Sequence, residues 1–361
     1  MFSMFEKAIE KLYKVNMGLK EEECVLLLTD DEKDYLVELM EEFIEVGKTL
    51  TSRLKSFVYP SLKGHGKEPP EEVWALAFGE AAVEKLKEKG LLSKVLHKED
   101  YSPEEVIGLL KEHAEDVPQV AVVFAHYSTT HTFFRKVLTE AFGCRYASMP
   151  LFEPDMFEGP MDVDWQEVAR LSTDVADILS EAEWAHVVAE GTDLEFELRD
   201  RKGIADTGLF HQKGQYGNLP AGEAFIAPIE GSAYGRLTIT YGPDRPLHRP
   251  ISLKFKDGAV EELEGFEPYR YYLEGVFKQH DSARLMAEFG VGTNPKAKRP
   301  DNVLEAEKIL GTVHIALGDN HTFGGTNRVP FHTDYVVFEP QVIVGGKGWQ
   351  KRLLEKGKLR T

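Results

Sequence analysis

Cysteine is nearly absent: Cys24 and Cys144 are the only two in 361 residues, too few for a disulfide framework or a thiolate zinc cluster. Any metal bound by this chain must be held by histidine and carboxylate. Basic residues are in deficit, 43 Lys and Arg against 61 Asp and Glu, for a formal charge of −18. A surface that tracks phosphates would work against the field of the whole molecule, so nucleic acid is not an expected partner. No run approaches the roughly 18 apolar residues that cross a bilayer. The amino terminus, Met1 to Lys14, interleaves Glu6, Lys7, Glu10, Lys11 and Lys14 with apolar residues at helical spacing, unlike the apolar core of a signal peptide. These absences point to a cytoplasmic protein with no membrane partner. Low-complexity segments and internal repeats are lacking too, and a 42% share of hydrophobic residues excludes disorder for most of the chain.

The length suits about two domains. In the first half, short apolar runs alternate with longer amphipathic ones. Cys24 to Thr29 reads as a buried strand, and Asp30-Asp31 as the cap of a helix from Glu32 to Thr49. Pro69-Pro70 opens a helix from Glu71 to Gly90, Val120 to Ala125 is a second strand, and His131 to Phe142 is a helix ending at Gly143. Between that strand and helix, the hydroxyls of Ser128-Thr129-Thr130-His131-Thr132 suit capping. Parallel strands covered by helices are predicted. After a helix from Trp165 to Glu181, alternation and turn residues take over. A hairpin spans Val187 to Leu198, strands are expected at Arg236 to Tyr241 and Ile251 to Phe255 before an Asp257-Gly258 turn, and a single helix follows from Glu267 to Phe289. The fold class predicted is an α/β domain with parallel strands and helices over 1–180, plus an α+β metal-binding domain with largely antiparallel strands over 181–361.

The residues richest in chemistry come late. His332 and Asp334 flank one residue, and in a strand that spacing sends both side chains to one face as a metal half-site. His314 precedes an apolar stretch and the glycine-rich loop from Gly318 to Gly325, which can bring its imidazole to that pair. Such ligands suit zinc, cobalt, manganese or iron. Glu223 and Glu288 add carboxylates among turn-forming or apolar neighbours. Gly324-Gly325 has neither the spacing nor the strand-then-helix setting of a nucleotide phosphate loop.

Taken together, these segments resemble the aminopeptidase T (M29) family of metallo-aminopeptidases, of which this chain looks like a short-form member. The resemblance is carried by Leu19 to Asp30, Ser128 to Thr132, Glu190-Gly191-Thr192-Asp193-Leu194, the Asn218 to Pro228 stretch around Glu223, His314-Ile315-Ala316-Leu317-Gly318 and His332-Thr333-Asp334. It implies a homodimer and a dinuclear site of zinc, cobalt or manganese on Glu223, Glu288, His314, His332 and Asp334. It also implies removal of amino-terminal residues from peptides by a metal-activated water, with Glu223 shuttling a proton to the leaving amine. The chain departs from the pattern around the motif histidine. Upstream of His314, Ile309 stands where that family carries a glutamate, and Glu307 matches only with an insertion. Downstream, His321 replaces a tyrosine suited to hydrogen-bonding an oxyanion, with Tyr335 as a substitute phenol.

The same segments resemble a bacterial ring-cleaving dioxygenase that acts on dihydroxypyridine. That alternative needs a single Fe(II) on His314, His332 and Asp334, with open positions for a small-molecule substrate and oxygen. Glu223 and Glu288 exceed its needs and favour hydrolysis. A third alternative keeps the metal without turnover, as a binding module.

Overall fold

The computed structural model describes residues 5–243 and 245–360. The chain divides into two compact units, one made of residues up to Asp162 with Gly208–Leu219, the other of Val163–Thr207 with residues from Pro220 onward.

The first unit is an α/β layer structure. Its five-stranded sheet runs Leu54–Tyr59, Val25–Asp30, Val120–Val123, Arg145–Ser148, Tyr216–Asn218, with every pairing parallel. Val25–Asp30, Val120–Val123 and Arg145–Ser148 are buried throughout, and the runs Val25–Leu28 and Val120–Val123 are continuously apolar, as in parallel strands covered on both faces. The helix after the first strand spans Asp34–Leu50. Asp30 does not cap it; its carboxylate instead accepts from the backbone N–H of Glu32 and Tyr127. The helix expected from Glu71 to Gly90 is two, Glu71–Phe78 and Glu80–Glu88, because Gly79 at φ 91° turns the chain between them. Thr132 caps the helix that starts at Phe133, its Oγ1 accepting from the Arg135 N–H at 3.1 Å.

The second unit packs two largely antiparallel sheets over one apolar core. The larger has eight strands in the order Ala259–Glu264, Pro246–Lys256, Tyr234–Tyr241, Thr192–Glu197, Trp184–Ala189, Gln341–Gly346, Trp349–Glu355, Lys358–Leu359. The smaller has five, in the order His332–Val337, Val313–Gly318, Met286–Gly292, Glu223–Ile226, Ile204–Asp206. Phe196 of the larger meets Phe289 of the smaller edge-on, centroids 5.0 Å apart. The expected single helix from Glu267 to Phe289 is corrected here. The helix is Pro268–Gln279, a short turn of helix covers Asp281–Arg284, and Met286–Gly292 is a central strand. Glu288 therefore stands on a strand beside His314's. Among the described residues no helix is long and apolar enough to cross a membrane.

Candidate metal centre

The five-stranded antiparallel sheet of the second unit sorts its side chains by alternation, since residues paired across antiparallel strands share a face. Gly318 lies opposite His332, Ala316 opposite Asp334, and Gly290 opposite His314. Glu288 lies opposite Ala316, Glu223 opposite Gly292, and Asp206 opposite Glu223. One face thus collects Asp206, Glu223, Glu288, His314, His332 and Asp334. The other carries Ile226, Phe289, Val291, Ile315, Leu317 and Tyr335 into the core. A slip of one residue would exchange the faces and expose the apolar set, at ~1.5–3 kcal/mol for each large side chain. The hydrophobic pattern of one face therefore fixes the polar cluster on the other.

Ligand atoms of Glu288, His332 and Asp334 lie within 4.8 Å of one another. His332 Nε2 is 3.3 Å from Asp334 Oδ2 and 3.5 Å from Glu288 Oε2. The other nitrogen, Nδ1, sits 2.7 Å from the Asp319 carbonyl. Donation there orients the ring and leaves the Nε2 lone pair of the neutral imidazole aimed at the two carboxylates, the arrangement that prepares a histidine for a metal. His314 lies one contact deeper, Nε2 3.3 Å from Glu288 Oε1 and 3.4 Å from Glu223 Oε2. Glu223 Oε1 in turn meets Lys308 Nζ at 3.0 Å, and Lys308 meets Glu307 Oε2 at 2.7 Å. The His332 side chain is 32% exposed, whereas His314 and Lys308 are buried. The cluster is open at His332 and closed at the lysine.

Glu223 Oε2 and Asp334 Oδ1 are buried oxygens without a hydrogen-bond donor. Unsatisfied buried acceptors of this kind are rare and costly, and a cation among the imidazoles and carboxylates would satisfy them. The residues present fit a divalent metal.

Without metal, protons take up part of that demand. Burial alone would lower both histidines. For His314, the Glu288 hydrogen bond and the charges of Glu223 and Asp334 outweigh it and raise the ring to about 9. For His332, Asp334 and then Glu288 do so, raising it to about 10. Burial would raise Asp334, but His332 and His314 hold it far below the usual carboxylate range. Burial pushes Glu288 up, more than His314 draws it down. The carboxylates around them thus favour the protonated form of both imidazoles in the metal-free chain, whereas a ligating imidazole must be neutral. Metal uptake at pH 7 should release protons, and affinity should rise as pH climbs from 6 toward 9. Calorimetric titration with Mn²⁺ in buffers of different ionisation enthalpy checks this; uptake with no proton release would exclude the histidines as ligands.

Every metal ligand expected from the sequence, Glu223, Glu288, His314, His332 and Asp334, lies on this face, but they do not all converge on one point. Among the described residues the convergent group is Glu288, His332 and Asp334, with His314 beyond Glu288 and Glu223 turned toward Lys308. The two further catalytic candidates stand apart. Tyr335 follows Asp334 and so points to the opposite face, where it is buried with its hydroxyl 3.0 Å from that of Tyr269. His321 is exposed, its Nδ1 2.9 Å from the Asp319 carboxylate. Sequence reasoning missed Lys308, the Asp319 carbonyl, and Gly290, over which the His314 ring lies: a Cβ built there would stand 1.9 Å from Nε2. It also missed Phe323, edge-on to His332 with centroids 6.0 Å apart, and Phe225, edge-on to Phe323 at 5.6 Å.

Two solved structures share this fold. The 2,5-dihydroxypyridine dioxygenase from Pseudomonas putida KT2440 aligns over 100% of this chain and 98% of its own at a TM-score of 0.70 and 16% identity. AmpT from Thermus thermophilus aligns over 99% of both chains at a TM-score of 0.62 and 16% identity. At such identity each likeness shows the fold alone. No curated protein sequence matches the chain. The motifs led to the expectation of an aminopeptidase T family member; the family match falls instead on the dioxygenase considered beside it, and covers residues 163–360. That span is more than half of the chain and contains every residue of the cluster from Asp206 to Asp334, so the chain belongs to the 2,5-dihydroxypyridine 5,6-dioxygenase (NicX) family.

Proposed function

We propose that this chain is a metal-dependent, ring-cleaving dioxygenase of the dihydroxypyridine type. Its substrate is a planar, electron-rich aromatic ring bearing two hydroxyls. One divalent ion, Fe(II), is held by Glu288, His332 and Asp334, with His314 beside them. The observation that carries this reading is the pairing of the ligand cluster with an aromatic wall. Phe323 stands partly exposed next to His332, the most open member of the cluster, and Phe225, also partly exposed and on the ligands' face of the sheet, packs edge-on against Phe323. A flat ring gains stacking and apolar contact there; a peptide backbone would need hydrogen-bond partners that two phenyl groups do not offer. The family match supports the same reading, because the whole cluster falls within it.

Fe(II) bound here would supply the electronic coupling between a ring hydroxylate and dioxygen. The balance closes without an external reductant: one ring C–C bond and the O–O bond break, two C–O bonds form, and both oxygen atoms of O₂ stay in the opened product. Glu223 Oε2, buried and without a donor, is the acceptor we assign to the proton of the entering hydroxyl. The Asp319 carbonyl keeps the His332 ring in its ligating orientation, and Phe225 with Phe323 positions the substrate ring.

One observation favours the hydrolytic alternative, namely that Glu223, Glu288, Glu307 and Asp334 give more carboxylates than a single ion requires. The two readings separate in one assay. Loaded anaerobically with Fe(II) and then mixed with oxygen and 2,5-dihydroxypyridine or a related dihydroxy-aromatic, the protein is expected to consume one O₂ per ring opened. Labelled dioxygen should place two ¹⁸O atoms in the product. Release of amino acids from aminoacyl amides or short peptides after zinc or cobalt loading, with no oxygen uptake on any dihydroxylated ring, would overturn the proposal.

A further inference from the structure

We propose that Lys308 is a built-in replacement for a second metal ion: its ammonium group, locked between Glu223 and Glu307, limits the cluster to a single divalent ion. The inference rests on reading the cluster as a metal centre and concerns what half of that cluster is for. Glu223 is one of the carboxylates that a dinuclear site would use, yet its Oε1 is 3.0 Å from Lys308 Nζ, and the same ammonium is 2.7 Å from Glu307 Oε2. A divalent ion bound to Glu223 and Glu307 would need the lone pairs that this ammonium occupies. It would also sit within a few ångströms of a fixed positive charge that water cannot screen, since Lys308 is fully buried.

The lysine is not a surface side chain that can swing away. The Asn294 N–H donates to the Lys308 carbonyl at 2.9 Å, the Lys308 N–H donates to the Glu305 carbonyl at 3.0 Å, and the Leu310 N–H donates to Asn294 at 3.1 Å. This stitches the segment to the end of the Met286–Gly292 strand. Gly292 makes the approach possible: a Cβ there would lie 2.1 Å from the Ile309 carbonyl oxygen. Because Gly292 is the register partner of Glu223, the contact that brings the backbone down at Ile309 also delivers the ammonium to the Glu223 carboxylate. A buried ammonium is costly unless paired, and here Glu223 Oε1 and Glu307 Oε2 pair it, leaving Glu223 only Oε2 to offer toward His314. The metal-ligating half, at Glu288, His332 and Asp334, keeps the open side.

The test titrates the metal-free full-length protein with Mn²⁺, counting ions per chain by equilibrium dialysis and elemental analysis and recording the electron paramagnetic resonance spectrum. Two ions of a shared site, roughly 3.5–4 Å apart, broaden that spectrum by mutual coupling. The wild type is expected to take up close to one ion per chain with an uncoupled signal. Lys308→Met is expected to approach two with a coupled signal, its second-site affinity rising by at least about tenfold, whereas Lys308→Arg, which keeps the charge, should stay near one. Circular dichroism of the metal-free variants reports folding, and Lys308→Gln gives the same readout should the methionine variant not fold. Two ions in the wild type, or one in a folded Lys308→Met protein, would overturn the role of the lysine while leaving the metal centre intact. No ion in any of them would overturn the metal centre itself and this inference with it.

Discussion

Asp334→Asn should leave a folded protein whose affinity for a divalent ion is lower by roughly a hundredfold or more, beyond the range seen when only the support of a ligand is lost. The substitution keeps the shape of the side chain and removes its charge. Asp334 Oδ2 is 3.3 Å from His332 Nε2, while Oδ1 has no hydrogen-bond partner, so one oxygen orients the imidazole and the other waits for a cation. In the metal-free protein the same change takes away the leading influence that holds His332 up at about 10, so that ring should titrate nearer the ordinary histidine range. Equilibrium dialysis with Mn²⁺ or Fe(II) reads the affinity, and proton NMR of the imidazole reads the titration. Unchanged metal binding would remove Asp334 from the site.

Gly290→Ala should be nearly as damaging to the metal centre although it adds only a methyl group. The added Cβ would lie 1.9 Å from Nε2 and 2.1 Å from Cε1 of His314, so the ring, fully buried and in contact with Glu288 and Glu223, has to shift. Overpacking of this sort costs about 1–3 kcal/mol of stability, and displacing His314 removes the contact that steadies Glu288. Lower Tm together with a metal affinity reduced by at least about tenfold is expected. Gly108→Ala is the control: Gly108 lies within the Pro103–His113 helix, and nothing stands within 4 Å of where its Cβ would be. There the substitution should stabilise by about 0.4–1 kcal/mol with no change in metal affinity. Equal effects at the two positions would mean that the His314 contact is unimportant.

The difference between those two glycines also shows where sequence reading stops. The parallel sheet of the first unit was legible in Val25 to Leu28 and Val120 to Val123, because strands buried on both faces are written as continuous apolar runs. The pairing of His332 with Asp334 was legible as well, because alternation within one strand needs no knowledge of its neighbours. Glu288 was chemically legible but structurally misplaced. Helix-compatible residues continue past Gln279, and what makes Met286–Gly292 a strand is the pairing with Glu223–Ile226 and Val313–Gly318 on either side, a non-local fact. Tyr335 looked available as a phenol by its chemistry, yet the same alternation already turns it away from the His332–Asp334 pair; what the structure adds is that its face is the core, where it pairs with Ile315. Lys308 carried no local signal at all. A lysine beside a glutamate in a turn reads as a solvated pair, and only the descent of the Ile309 backbone onto Gly292 buries it against Glu223.

The proposed metal centre lies at Glu288, His332 and Asp334, on one face of the five-stranded antiparallel sheet of the second unit. Anomalous diffraction at the metal absorption edge, from crystals of the full chain loaded with Mn²⁺ or Fe(II), tests it most directly. A single strong peak is expected within coordination distance of His332 Nε2 and of the Asp334 and Glu288 carboxylates, with Lys308 Nζ still between Glu223 and Glu307. A metal-loaded crystal with no peak on that face, or with its peak at residues elsewhere in the chain, would contradict it.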